Sequence, residues 1–194
     1  MQNFWLYFEL GYKHICDWQG YDHILFVTAL CGIYLIHNWK KVAVLVTAFT
    51  IGHTITLVLS VFDKVRIPAA YIEFLIPITI IITALSNIRN KHFELKKIRI
   101  NYFLALLFGL IHGMGFSNYL KSLLGKTSNI TAELFAFNLG LEVGQLIIVS
   151  IVLIFSYMAI QIVKINRREW NLFLSSAIFG IALIMAIERF AILV

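Results

Sequence analysis

The segment ITAELFAFNLGLEVGQLIIVSIVLIFSYMAIQIV, residues 130–163, decides the class of fold. It is apolar well beyond the roughly 20 residues that cross bilayer hydrocarbon, yet Glu142 stands within it. An ionisable group at that depth costs several kcal/mol, roughly 2.5–3.5 on insertion scales, so it is seldom left there without a task. The pattern recurs along the chain. His53, Glu73 and His112 each fall inside an apolar run, and Asp22-His23 opens another.

Composition agrees with a membrane protein. The chain is 60% hydrophobic and 13% charged, against roughly 25% charged in soluble domains, so it has too few charges to cover a water-exposed surface. Working outward from 130–163, about six spans are expected, near 21–37, 41–62, 68–88, 100–121, 130–163 and 171–194. The expected fold is an all-α polytopic bundle forming a single membrane domain over 1–194, with residues 1–20 as an interfacial helix rich in Phe, Trp and Tyr. The start lacks the basic region of a cleavable signal peptide. No linker and no convincing internal repeat is visible. Cys16 and Cys31 form neither a disulfide framework nor a CxxC motif.

The net charge of +6 is explained by short loops facing anionic lipid rather than by nucleic acid. Ten of the 16 basic residues fall on one side: Lys40, Lys41, Arg89, Lys91, Lys96, Lys97, Arg99, Lys164, Arg167 and Arg168. That side is read as cytoplasmic, which puts both termini outside. Asp22 and His23 then begin the first span at its outer end, with Glu73 about two turns into the third. His53, His112 and Glu142 lie near mid-depth. The polar path is one-sided; toward the cytoplasm Asn87 is the most obvious polar residue.

Asn138, Glu142 and Gln145 share one stripe of the fifth span at i, i+4, i+7 spacing. Gly109/Gly113 and Gly140/Gly144 are GxxxG pairs, which let helices approach closely in lipid. Packing of the fourth span on the fifth would carry His112 toward Glu142. Imidazole and carboxylate together suit a borderline divalent metal.

At these residues the chain resembles the HupE/UreJ family. GYDHILF (20–26), FTIGHTITL (49–57), FGLIHGMGF (108–116) and FNLGLEVGQL (137–146) look like that family's signature blocks, in order, and GYKHI (11–15) fits its second branch. The resemblance implies a small polytopic inner-membrane protein tied to nickel supply for hydrogenase or urease, described as a nickel or cobalt permease. It implies Asp22, His23, His53, His112 and Glu142 as metal-handling residues, with Asn138 and Gln145 beside them. The chain departs from the hydrogenase-linked pattern His-Pro-x-x-Gly-x-Asp-His, having Cys16 and Asp17 in the first two places. Cysteine also ligates Ni, Zn or Cu(I), so metal binding survives the change while nickel specificity follows less directly. Cys16 is expected to be a peripheral ligand.

Each residue has a plainer role to set beside this one. Asp22-His23 serves as a helix start, and His53 and His112 as polar glue between helices. Glu142 would then hold a proton beside Asn138 and Gln145. Glu73 caps or snorkels at the outer interface, and Glu188 pairs with Arg189. His14, His37 and His92 are expected at interfaces or in loops without a metal role.

Two function classes fit, and a third stays open. A transporter would replace the hydration shell of nickel or cobalt with imidazole and carboxylate, binding weakly enough to release. An intramembrane hydrolase would hold zinc with one position open and use Glu142 or Asp22 as general base. The third is a non-catalytic metal-binding partner protein. The expected partners are a metal ion and the lipid bilayer, with a second copy or another membrane protein as further candidates. No nucleotide motif is present.

Overall fold

The computed structural model describes residues 2–65, 67–90, 98–124 and 130–193. Arg66, Lys91, Lys96, Lys97 and Lys126, which entered the charge count, and His92 lie outside them. Among the described residues the regular structure is helical. The helices are α1 (Gln2–Ile15), α2 (Asp22–Cys31), α3 (Trp39–Val61), α4 (Ala69–Arg89), α5 (Ile98–Leu124), α6 (Ile130–Tyr157) and α7 (Arg167–Leu193). A 3-10 turn at Ile36–Asn38 leads into α3, and one π turn, Met158–Ile162, extends α6.

The protein is a helical bundle with membrane-type helices. Four described segments are long and apolar enough to cross a bilayer: Ile36–Val61, Ala69–Arg89, Ile130–Ile162 and Arg167–Leu193. The apolar stretches of α2 and of α5 (Asn101–Phe116) are shorter. At 1.5 Å per residue α2 covers only about 15 Å, so it cannot span alone, and the six-span count rests on the sequence. The end of α3 is set by backbone chemistry. Asp63 adopts φ 58°, while Asp63 N donates to Ser60 O (2.9 Å) and Lys64 N to Leu59 O (2.8 Å). That is a Schellman stop, with aspartate tolerating the left-handed position.

Glycines decide which helices meet. A Cβ on Gly52 would collide with the Leu106 carbonyl, and one on Gly109 with the Phe49 carbonyl, so α3 and α5 touch backbone to backbone. The same reciprocal contact joins α1 to α6. A Cβ on Gly11 would strike the Phe137 carbonyl, and one on Gly140 the Phe8 carbonyl. The expected pairing of the two GxxxG faces does not occur. The Gly109/Gly113 face of α5 packs on α3, and the Gly140/Gly144 face of α6 packs on α1. The physical reason is that such a face needs a partner that also bares its backbone, and Gly52 and Gly11 supply one on each side. Residues 1–20 therefore do more than the interfacial role expected of them, since α1 is seated along α6.

These two interfaces share a register. Each has a glycine meeting the carbonyl three residues before the partner's glycine, and a histidine three residues after the first: Gly11 with His14, Gly109 with His112. The partner helices match as well, with Phe49-x-x-Gly52 in α3 and Phe137-x-x-Gly140 in α6. Contacts advance together along α1 and α6, and along α3 and α5, so each pair is parallel. Between the pairs, Thr54 of α3 meets Asn138 of α6 while the earlier Thr47 and Thr50 meet the later Glu142 and Gln145, so the two pairs oppose each other. The remaining helices, α4 and α7, pack antiparallel, Asn87 meeting Asn171 at one end and Glu73 meeting Arg189 at the other. Helices α1, α3, α4 and α5, α6, α7 thus form inverted-topology halves, with α2 inserted in the first. The sequence hid this repeat because the halves share little beyond Phe-x-x-Gly and Gly-x-x-His.

Candidate metal centre

The imidazoles converge where the two glycine interfaces meet α2. Because Gly11 lets α1 lie flush on α6, the His14 ring reaches between Phe116 and Phe137, with centroids 3.8 and 5.9 Å away. His14 stands 4.7 Å from His23 and 6.1 Å from His53, ring to ring. His53 follows Gly52 on α3 and is fully buried. His23 opens α2 and stands 4.9 Å from His112 of α5.

Hydrogen bonds fix which nitrogens remain free. His112 Nδ1 lies 2.8 Å from the Phe108 carbonyl, an acceptor, so this nitrogen carries the proton and Nε2 keeps its lone pair. His23 Nδ1 lies 2.9 Å from Asp22 Oδ1, and Oδ1 also accepts the His23 backbone N–H at 2.8 Å. Carboxylate on Nδ1 with Nε2 presented outward is the arrangement that raises the basicity of a metal-binding imidazole. The other Asp22 oxygen accepts from Arg189 Nη2 at 3.3 Å, while Arg189 Nη1 donates to the Glu73 carbonyl at 2.8 Å. A chain of contacts therefore runs from α7 through Asp22 to His23.

Five ring nitrogens in this cluster are buried without a hydrogen-bond partner: Nε2 of His14, His23 and His112, and both nitrogens of His53. Buried polar atoms are nearly always paired, and nitrogens left without a protein partner in such number suit the binding of a metal ion. One ligand atom each from His14, His23 and His53 lie within 4.8 Å of one another. Neighbouring nitrogens on a tetrahedral metal at about 2.1 Å stand about 3.4 Å apart, so the rings would have to draw in by on the order of an ångström to close a coordination shell. His112 adjoins as a fourth imidazole.

A cleft of about 1010 Å³ leads to these rings, with His14, His23 and His112 on its inner wall and Asp17, Glu73 and Arg189 toward the mouth. The buried rings of Phe26, Phe49 and Phe108 pack together beside His112, with Phe26 5.3 Å from Phe49, 5.1 Å from Phe108 and 5.6 Å from His112. Asn87 lies beyond them as a brace. It donates to the Ala29 carbonyl at 2.6 Å and accepts from Asn171 at 2.9 Å.

The structure thus brings together Asp22, His23, His53 and His112, with Asp22 behind His23. Cys16, half-buried, and Glu73, exposed, line the cleft. Glu142 is elsewhere: it accepts from Thr47 Oγ1 at 2.8 Å and lines a separate groove between α3 and α6. Asn138 and Gln145 accept from Thr54 (2.7 Å) and Thr50 (2.9 Å) and so brace that same helix pair. His14 was passed over as an interfacial residue. Its signal was present, since GYKHI at 11–15 nearly duplicates GYDHI at 20–24. Arg189 was read only as a partner for Glu188. His37 meets Asn38 at 3.2 Å on the exposed surface.

Comparison with curated proteins and with solved structures gives no match. A family model described as HupE / UreJ protein matches residues 1–189, a span containing every histidine and glycine interface described above. With nearly the whole length matched, a membrane-type helical bundle and a gathered set of imidazoles, the chain belongs to the HupE/UreJ protein family.

Proposed function

We propose that the protein takes up a divalent transition-metal ion, nickel or cobalt, into the His14/His23/His53/His112 cluster and passes it across the membrane. The observation that carries this reading is the set of five buried, unpartnered imidazole nitrogens gathered around one point of the bundle. Imidazole is a donor that suits nickel among the borderline metals, and the family relates to nickel and cobalt handling. The ion would enter by the cleft, attracted by Glu73 and Asp17, with Asp22 holding His23 in the ligating tautomer rather than binding the ion itself. Outer-side access follows from the positive-inside reading of the loops.

Inverted halves support transport over catalysis. In transporters of that design the substrate site lies between the repeats, and rocking one half against the other exposes it to the opposite side. Here the cluster takes His14 from one glycine interface and His53 and His112 from the other. The test is nickel uptake into proteoliposomes containing the full-length protein. Uptake should be saturable in the wild type and lost in His53→Ala and His112→Ala at equal incorporation; uptake that survives in both variants contradicts the proposal.

A second reading draws on the one-sided path of polar residues in the sequence and on the packed phenylalanines beside the rings. A zinc ion on the same rings, activating water beneath an apolar lipid substrate, would need no exit. Metal-dependent hydrolysis without uptake would select it.

A further inference from the structure

Helix α1 carries charge on the side turned away from the bundle. Phe8, Gly11 and Ile15 bear on α6. At about 3.6 residues per turn, Trp5, Leu6, Glu9 and Lys13 fall within about 100° of one another on the opposite face. Trp5 and Leu6 stand 65% and 62% exposed, and the Glu9 and Lys13 side chains 59% and 70%. The lining of the cleft takes in Lys13 but not the other three. Phe4 and Phe8 brace the Trp5 ring edge-on from within α1, at 5.9 and 5.8 Å, and hold it outward.

That face lies within the thickness of the bilayer. Helix α6 belongs to a segment long and apolar enough to cross it, and α1 runs parallel beside α6. Asn3 stands 3.5 Å from Glu133 near the start of α6, Gly140 lies against Phe8 and Tyr12, and Gly144 against Ile15. Glu9 and Lys13 are therefore level with the neighbourhood of Gly140, about ten residues or roughly 15 Å from the start of α6. Bilayer hydrocarbon is about 30 Å thick, so this is its middle. Charged side chains at such depth are costly against lipid and are found facing protein or water, with partners of opposite sign. Pairing within α1 at 2.6 Å neutralises the two groups but leaves more than half of each side chain uncovered.

We propose that this face of α1 docks against the same face of a second copy of the chain, about a two-fold axis along the membrane normal. Both copies share one orientation in the bilayer, so the two α1 helices run side by side and parallel. An isologous interface needs a patch that complements itself, and this one does. Glu9 and Lys13 lie one turn apart on one face, so Glu9 of each copy meets Lys13 of the other. A closed ring of alternating charges then replaces two separate, half-covered pairs. A different membrane protein would have to bring a cation and an anion of its own at the same spacing, whereas a second copy brings both. Trp5 and Leu6 pack across the axis one turn nearer the outer surface, a braced aromatic being a frequent anchor of such contacts. His14 is turned toward the cluster and away from this face. Each copy keeps its own imidazoles, and the dimer does not rest on the transport reading.

The test uses the full-length protein in membranes. Leu6→Cys in a Cys16→Ser background should form a disulfide-linked dimer when oxidised with iodine, a metal-free oxidant. Ile184→Cys in the same background, on the exposed face of α7, should form several-fold less. Single-molecule photobleaching of fluorescently tagged wild type in lipid vesicles should show dimers. Glu9→Lys and Lys13→Glu each set like charges across the axis and should lower the dimer fraction several-fold. The double variant Glu9→Lys/Lys13→Glu restores the alternation and should recover most of it. A monomeric wild type, equal cross-linking at the two cysteine positions, or a double variant no better than the single ones overturns the proposal. Rapid labelling of Glu9→Cys by a membrane-impermeant maleimide would put water over this face, and it overturns the proposal as well. Leu6→Cys keeps both charges, so the cross-link decides the case even where a charge variant fails to insert.

Discussion

Adding one methyl group at Gly109 should disable the metal centre without touching a ligand. In Gly109→Ala the new Cβ meets the Phe49 carbonyl, a backbone atom that no rotamer change can move. The α3 and α5 backbones must separate by on the order of an ångström, and overpacking of this kind costs about 1–3 kcal/mol. His112 lies one turn along α5 from that contact and His53 one turn along α3 from Phe49. Splaying the helices therefore pulls two imidazoles apart, and sites loosened by about 1 Å lose function disproportionately. Gly180→Ala is the control, because a Cβ there meets nothing within 4 Å, and replacing a helical glycine gains about 0.5–1 kcal/mol. The assay is thermal unfolding in detergent together with nickel titration. Gly180→Ala should match or exceed the wild-type Tm with unchanged affinity, whereas Gly109→Ala should lower the Tm and weaken nickel binding at least tenfold. A Gly109→Ala protein with wild-type Tm and affinity would refute the backbone-contact reasoning.

Asp22→Asn keeps the shape beside His23 but removes the carboxylate, so nickel affinity should fall by about 10–100-fold, the usual cost of an outer-shell change. Arg189→Ala acts one step further back and should cost less than Asp22→Asn, with Arg189→Lys recovering part of the loss; titration of the three proteins side by side checks the order. His14→Ala should lose at least as much affinity as Asp22→Asn, while Cys16→Ser, altering a side chain at the cleft wall, should keep most bound metal. Chelation should lower the Tm, since a ligand at about 100 times its Kd stabilises the native state by about 2.7 kcal/mol; unfolding curves with and without chelator measure it.

Much of this fold was legible in the sequence because membrane helices are written in long apolar runs. His53 and His112, each read within an apolar run, both lie against Phe49, at 6.1 and 5.4 Å ring to ring. What the sequence could not supply was rotation and partner choice. Glu142 shares a stripe with Asn138 and Gln145, as the spacing said, but that stripe faces the threonines of α3 rather than the imidazoles. GxxxG marks a face without naming its partner. The single glycines that complete the interfaces, Gly52 and Gly11, carry no pattern of their own. His14 was discounted because residues 1–20, rich in Phe, Trp and Tyr, read as an interfacial helix. Glu9 and Lys13 pair with each other at 2.6 Å on the exposed face of α1, leaving the opposite face free to carry His14 inward.

The central claim is that the metal is held by imidazoles from α1, α2, α3 and α5, and X-ray absorption spectroscopy of the nickel-loaded, detergent-purified protein tests it most directly. The account predicts one ion per chain with three or four imidazole nitrogens in its shell, a count that drops by one in His14→Ala and is unchanged in Glu142→Gln. A shell dominated by carboxylate oxygen or by sulfur, or one that loses a ligand in Glu142→Gln and none in His14→Ala, would contradict it.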